Sequence, residues 1–488
     1  MENNLKNKAI SGVKWTSLNT LFTTFTSPVY QIVLAFLLEP QEFGYIAVIS
    51  LFIGLSILLS DVGIGESIIQ RDNVTSTQIS SLFYFNLILT SAIACIIYIL
   101  APYIQNFYNL QNLESIIRLL VITVIFNSMS SVFRVYIQKK MLFRNLSIIQ
   151  ISKTSIDILA SSLLIWLGYG IIGYVYGTII ASTFNTILLI LIAFNRTDLR
   201  ILFYFNIKEV MPFLNFGISI SLKKILTFVS QRLDEIIIGG SLSSDVLGVY
   251  YFGKRLILQL QTVMTNSFSR VLLPIFSRLK KDLSNLKNAY MKITYMSAMV
   301  GFPIFVGLAL TSHLIIPVFF GDDWSGSIEV IRILSFAMLF QVLTANIATS
   351  MLYSVNRPNS VLMIDIFTNV IYFISLLLFS YMGLTIILIL YALYTITKAV
   401  ILQFYVGKEL KYSIIEYFQM FKKIIFSNIS MTLIIVILSF LLSGINELIQ
   451  LIITVMIGVF VYITIQWIND RGNMVFLITT IKKKSKSD

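Results

Sequence analysis

Apolar stretches of about twenty residues recur along the chain at nearly even spacing, separated by short polar connections. Two of them, Ile424–Leu442 and Leu448–Ile468, carry no charge at all, and about twenty such residues cross a bilayer core. The pattern predicts spans near 15–38, 43–64, 79–103, 115–137, 146–167 and 171–194. A second set falls near 212–238, 246–276, 293–319, 328–353, 360–380 and 384–406, and a last pair near 424–443 and 448–468. The expected fold is all-α and polytopic, with about fourteen transmembrane helices.

Basic residues test that layout. Of 36 lysines and arginines, 25 fall in the two termini and in alternate connections, among them Lys6, Arg71, Lys140, Arg200, Lys281, Arg357, Lys411 and Lys484. The other connections carry none and hold Glu39, Glu42, Glu114, Asp245, Asp322, Asp323 and Glu447 instead. Lysine and arginine stay on the cytoplasmic side of short loops, so both termini are expected in the cytoplasm of a bacterial inner membrane protein. One missed span would put the rest of the chain in antiphase.

Composition agrees. Hydrophobic residues make up 57% of the 488, charged residues 12%, and mean hydropathy is +0.85, too little charge to cover a water-facing surface. The net charge of +13 is accounted for by the cytoplasmic bias, without nucleic acid as a partner. Cys95 is the one cysteine and His313 the one histidine, which excludes an intrachain disulfide, a thiolate metal site and histidine-based triads. No small-residue cleavage site follows the first apolar stretch, so Met1–Lys14 leads into a retained first helix. No cofactor is expected.

A weak internal repeat runs through the chain. Leu38–Tyr45 resembles Leu242–Val249, with Gly44 aligned on Gly248, 204 residues on. The shift carries span 6 close to span 12, giving an N-terminal six-helix lobe (1–200), a C-terminal one (201–408), and a peripheral pair with a basic tail (409–488). Halves with an even number of spans share orientation, so a pseudo-twofold along the membrane normal relates them, with a site between them near the midplane.

Eleven basic residues remain inside predicted spans, against six acidic ones. Each costs roughly 2.5–3.5 kcal/mol near the bilayer centre, so it should face water or a partner. Arg134, Arg270, Arg332 and Lys398 also fit as helix-end residues that snorkel. Lys153 and Asp157 stand four apart and can neutralise each other, as can Arg232 with Asp234 and Glu235. Continuous polar seams are harder to explain that way. Ser221, Lys224, Thr227, Gln231 and Asp234 line one face of span 7, and Arg255, Gln259, Thr262, Asn266 and Ser269 one face of span 8. These read as walls of a hydrated, cationic lumen for an anionic substrate. The candidate lumen residues are Arg118, Arg134, Lys153, Lys224, Gln231, Arg232, Arg255, Gln259, Asn266 and Arg270. Tyr250 and Tyr251 are candidates for sugar hydroxyls, and Asp157 and Glu235 for ion coupling. The last two spans carry no charge and belong outside the lumen.

Gly248–Lys254 has the glycine and lysine spacing of a P-loop, but Arg255 stands where Ser or Thr is needed and no strand precedes it. Other elements fit together. Gly12–Thr16 reads G-x-x-W-T, Pro40–Gly44 reads P-x-x-F-G, and Asp61–Gly65 with Ile68–Arg71 reads D-x-G-I…I-Q-R. Leu273–Ser277 and Phe320–Trp324 supply L-P-x-F-S and F-G-x-x-W. In this order the chain, from about residue 10 to 410, resembles the polysaccharide transporter branch of the MOP flippase superfamily, the Wzx-type O-antigen and colanic-acid exporters. The resemblance implies a transporter rather than an enzyme, with two six-helix lobes around a cationic cavity. It implies alternating access that carries undecaprenyl-diphosphate-linked oligosaccharide to the outer leaflet, alongside polysaccharide polymerase machinery. A related cation-coupled drug exporter of the MATE branch and a membrane polysaccharide polymerase are the alternatives; the cationic seams and the scarcity of carboxylates and histidine in the outside loops weigh against them.

Overall fold

The protein is all-helical in a computed structural model that describes residues 2–59, 64–71, 74–344, 347–476 and 479, without the side chains of 2–9, 64, 66, 215–220 and 265–271. Asp61–Gly63, the side chains of Asn266 and Arg270, and the lysines of the C-terminal tail lie outside the described residues. Among the described residues, eleven helical stretches are long and apolar enough to cross a membrane. The chain is a multi-pass membrane protein. Contacts divide it into two compact units, residues 1–251 and 252–488.

The first unit holds α1 (Glu2–Leu37), α2 (Pro40–Leu59), α3 (Ile64–Gln70), α4 (Ser76–Tyr108), α5 (Leu113–Lys139), α6 (Phe143–Leu164), α7 (Gly170–Arg196), α8 (Ile207–Ser241) and the start of α9 (Ser244–Leu279). Helix α5 packs on α4 and α7, α6 on α1 and α7, and α8 on α2, α3 and α4. The α6–α7 hairpin turns through Gly168 and Gly170, at φ of +91° and +50°. Gly177 lets α7 close on α6, since a Cβ there would meet Ser161 Oγ at 2.1 Å. The short helix α3, which the apolar pattern did not anticipate, is tied down at its end. Arg71 donates to the Pro212 carbonyl at 2.9 Å, Lys139 to the Ile68 carbonyl at 2.9 Å, and Ser67 to that of Phe213 at 2.9 Å. The I-Q-R element is thus a clamp between α3, α5 and α8.

The second unit continues with α10 (Leu283–Phe320), α11 (Gly326–Thr344), α12 (Ile347–Ser354), α13 (Pro358–Phe379), α14 (Leu384–Leu410), α15 (Ile414–Gln419), α16 (Lys422–Leu441) and α17 (Glu447–Asn469). Here α11 packs on α10 and α14, and α13 on α14, the order that α5, α4, α7 and α6 follow in the first unit. The span expected at 328–353 corresponds to one apolar stretch, Gly326–Ser354, which holds α11 and α12. Helix α10 starts ten residues before its predicted span because Asp282 caps it, accepting from the Asn285 N–H at 3.0 Å, and polar sequence can extend a helix past the apolar band. Pro303 removes a backbone donor within α10. Tyr462 of α17 supplies one in its place, donating to the Met299 carbonyl at 2.7 Å. Trp324, the end of the F-G-x-x-W element, is buried with its ring 4.3 Å from that of Phe252.

Helices α8 and α9 are not among the eleven apolar stretches. They carry the charges of the two seams, which a purely apolar criterion rejects.

Candidate functional site

A cavity of about 300 Å³ opens within the first unit. Helix α5 contributes Asn127, Ser131, Arg134 and Val135, α6 contributes Gln150 and Lys153, α2 contributes Ile57 and Leu58, and α8 contributes Lys224. Three cations share one small space, and among the described residues no carboxylate is on its lining. Like charges close together disfavour one another, and negative charge near them, from this chain or from a bound anion, offsets that cost through charge-assisted hydrogen bonds. The neutral lining is held from behind. Asn86 of α4 donates to Ser131 Oγ at 2.8 Å, and Asn127 to Ser56 Oγ of α2 at 3.4 Å.

The expected site residues separate into groups. Arg134, Lys153 and Lys224 come together in this cavity. Asp157, one turn beyond Lys153 on α6, accepts from Thr178 of α7 at 3.3 Å. Arg232 is engaged with Glu235, at 2.5 Å. Asp234 accepts from the Glu235 N–H at 2.9 Å and from the Tyr250 hydroxyl. Both carboxylates and Tyr250 are buried, and the Tyr251 hydroxyl meets Ser50 Oγ at 3.0 Å. Both tyrosines are therefore committed to packing in this structure. Arg118 pairs with Glu114 at 2.7 Å and lies over the Tyr98 ring at 4.7 Å, away from the cavity lining. Gln231 is exposed on α8, and Arg255 and Gln259 are partly buried in the second unit. Lys398, also readable as a snorkelling residue, pairs with Asp365 at 2.8 Å.

Sequence reasoning missed Gln150, Asn127 and Ser131. Their signal was present: Asn127, Ser131 and Arg134 fall at helical spacing, as do Gln150, Lys153 and Asp157. They form seams of the same kind as those on α8 and α9, but shorter.

The second unit contains a larger cavity of about 630 Å³, predominantly apolar. It runs between α10, α16 and α17, and Pro303, Gly307, Met431, Ile435 and Gly458 are on its wall.

With this geometry in view, similarity to known proteins is informative. The family described as "Polysaccharide biosynthesis protein" matches residues 33–329. The teichuronic acid biosynthesis protein TuaB of Bacillus subtilis (strain 168) is 25% identical, over 68% of this chain and 69% of its own. The lipopolysaccharide biosynthesis protein WzxC of Escherichia coli (strain K12) is also 25% identical, over 68% and 67%. Among solved structures, the lipid II flippase MurJ in an inward closed conformation superposes with a TM-score of 0.76 at 16% identity, covering 95% of this chain and 99% of its own. At that identity the match speaks for the fold. The family match and the two relatives bear out the resemblance that the ordered motifs carry.

Proposed function

Since the chain belongs to the polysaccharide biosynthesis protein family, we propose that it flips undecaprenyl-diphosphate-linked oligosaccharide across the bacterial cytoplasmic membrane for surface polysaccharide synthesis. The observation that carries this reading is the gathering of Arg134, Lys153 and Lys224, from three different helices, on one cavity wall. A diphosphate is the part of such a lipid that three cations recognise, and side chains such as Gln150 and Asn127 suit sugar hydroxyls. A hydrophilic head cannot cross hydrocarbon, so a cationic lumen hydrates it while alternating access exposes it first inside, then outside. A lumen with three cations on its wall is a poor host for the cationic drugs of a MATE-type exporter.

The topology in this reading has fourteen spans. Counting Phe143–Arg196 as the two helices it contains and adding the charged helices α8 and α9 brings the eleven apolar stretches to that number. Both termini then face the cytoplasm, and residues 1–200 and 201–408 form the repeating lobes. The apolar cavity against α16 and α17 suits the prenyl chain, which keeps this pair outside the hydrated path. Asp157 is the better candidate for ion coupling, since Glu235 is held by Arg232.

The test is the glycan lipid itself. Deleting the gene should accumulate complete lipid-linked repeat units on the inner leaflet, and the triple variant Arg134→Ala, Lys153→Ala, Lys224→Ala should reproduce that while still reaching the membrane. Accumulation on the outer leaflet would point to a polymerase instead, and normal surface glycan in the triple variant would remove the site.

A further inference from the structure

The connection between α7 and α8, residues 197–206, is short, built and apolar at its tip. Two hydroxyls of α4 hold it at fixed points. The Leu202 N–H donates to Ser80 Oγ at 2.8 Å and the Asn206 N–H to Ser81 Oγ at 3.1 Å. Between the pins the chain turns tightly, with the Tyr204 N–H on the Leu202 carbonyl at 2.8 Å. Asn206 then caps α8, accepting from the Lys208 N–H at 3.0 Å. A connection fixed in this way presents its side chains by design of the backbone, not by looseness.

What it presents is hydrophobic. Phe203 is fully exposed, and Leu202, Phe205, Ile207 and Met211 are each more than two-fifths exposed. Leu199, by contrast, is buried in the core of the first unit. The tip is flanked by exposed Arg196, Arg200 and Lys208, while the carboxylate of Asp198 is occupied by Lys140 at 2.8 Å. In the fourteen-span reading proposed above, the segment also joins two membrane helices, which puts it at the level where hydrocarbon gives way to headgroups. Aromatic and aliphatic tips beside arginine and lysine, at that depth, match the interfacial pattern of apolar insertion with cationic contacts to phosphate.

We propose that this connection is a membrane-surface anchor, with Phe203 and its neighbours inserted at the headgroup–acyl boundary and Arg196, Arg200 and Lys208 on the phosphates of anionic lipid. It fixes the level of the α7–α8 crossover in its leaflet, and it holds whatever cargo the protein carries. Two of its anchoring points, Ser80 and Ser81, are on α4, so the seat is transmitted to a spanning helix and not absorbed by a slack loop.

The experiment uses the full chain in liposomes containing phosphatidylglycerol. With the exposed Cys95 replaced by serine, a nitroxide is placed at Phe203→Cys, and a control label at exposed Ser284→Cys in the polar first turn of α10. The expected result is an oxygen-to-nickel-chelate accessibility ratio at 203 several-fold above that at 284. That ratio should fall when Arg200→Gln and Lys208→Gln are combined, or when phosphatidylcholine replaces the anionic lipid. Equal ratios at 203 and 284 would overturn the anchor. So would protection seen only in native membranes and absent from liposomes, which would assign the surface to a protein partner.

Discussion

Gly248 packs directly on the backbone of Pro40: a Cβ at Gly248 would stand 1.8 Å from the Pro40 carbonyl oxygen and 2.9 Å from the Gly44 nitrogen. Gly44 reciprocates, since its Cβ would meet the Ser244 carbonyl oxygen at 2.5 Å. The two glycines that align in the internal repeat are therefore the two that touch, each seated on the other's turn. Backbone approach this close admits only glycine.

Both positions should resist even one added methyl group. Gly248→Ala and Gly44→Ala are expected to destabilise by ~1–3 kcal/mol, the usual cost of forcing atoms into a packed contact. Gly444→Ala, where nothing lies within 4 Å, should leave stability unchanged. Thermal unfolding of the detergent-purified variants, followed by size exclusion, checks the ordering. An unaltered midpoint in Gly248→Ala would contradict the contact.

The three cavity cations should separate from the other intramembrane bases. Losing one charge-assisted hydrogen bond costs ~1.5–3 kcal/mol, so Lys224→Ala, Lys153→Ala and Arg134→Ala are each expected to lower the flipping rate by roughly 10- to 100-fold. Arg118→Ala should be close to wild type in rate, because its guanidinium serves Glu114 and Tyr98. Complementation of the deletion strain, scored by surface glycan at matched membrane abundance, distinguishes the two groups. A defect in Arg118→Ala as deep as that in Lys224→Ala would mean that the site extends to the N-terminal end of α5.

The multi-pass helical character was legible in the sequence because membrane insertion acts on single helices: apolar length is a property of one segment at a time. Arg134, Lys153 and Lys224 were legible for the same reason, each being an expensive charge within an apolar run. Their meeting in one cavity was not, since helical periodicity says which face a residue is on and not what that face adjoins. Arg118 had the same credentials and is placed elsewhere by Glu114, one turn away. Gln150 and Asn127 escaped because an uncharged amide in a span is common packing glue. The alignment of Gly44 on Gly248 read as a trace of duplication; that it is a contact is a tertiary fact. Helices α3 and α15 were missed because seven and six residues are too few for a periodic signal.

The Asp365–Lys398 pair gives a further expectation. The two side chains are 41% and 29% exposed, so removing one partner costs less than in a dry core, ~1–2 kcal/mol. Asp365→Asn and Lys398→Met should each lower the unfolding midpoint, and the double variant should recover most of the loss. If the double variant is additive, the two charges do not interact appreciably.

Pro303 of α10 supplies the last prediction. Pro303 cannot donate to the Met299 carbonyl, and Tyr462 does so from α17 at 2.7 Å, which fixes the peripheral pair to a broken point in α10. Tyr462→Phe strands that carbonyl in an apolar surrounding, at ~1–2 kcal/mol on the scale of hydrogen bonds between membrane helices. Pro303→Ala restores a backbone N–H four residues along, so the carbonyl regains an intrahelical donor. The cost of Tyr462→Phe should therefore shrink in the Pro303→Ala background, and a double-mutant cycle on thermal stability measures the difference directly. An equal cost in both backgrounds would show that the tyrosine hydroxyl stabilises the protein by some means other than serving the bond that proline leaves open.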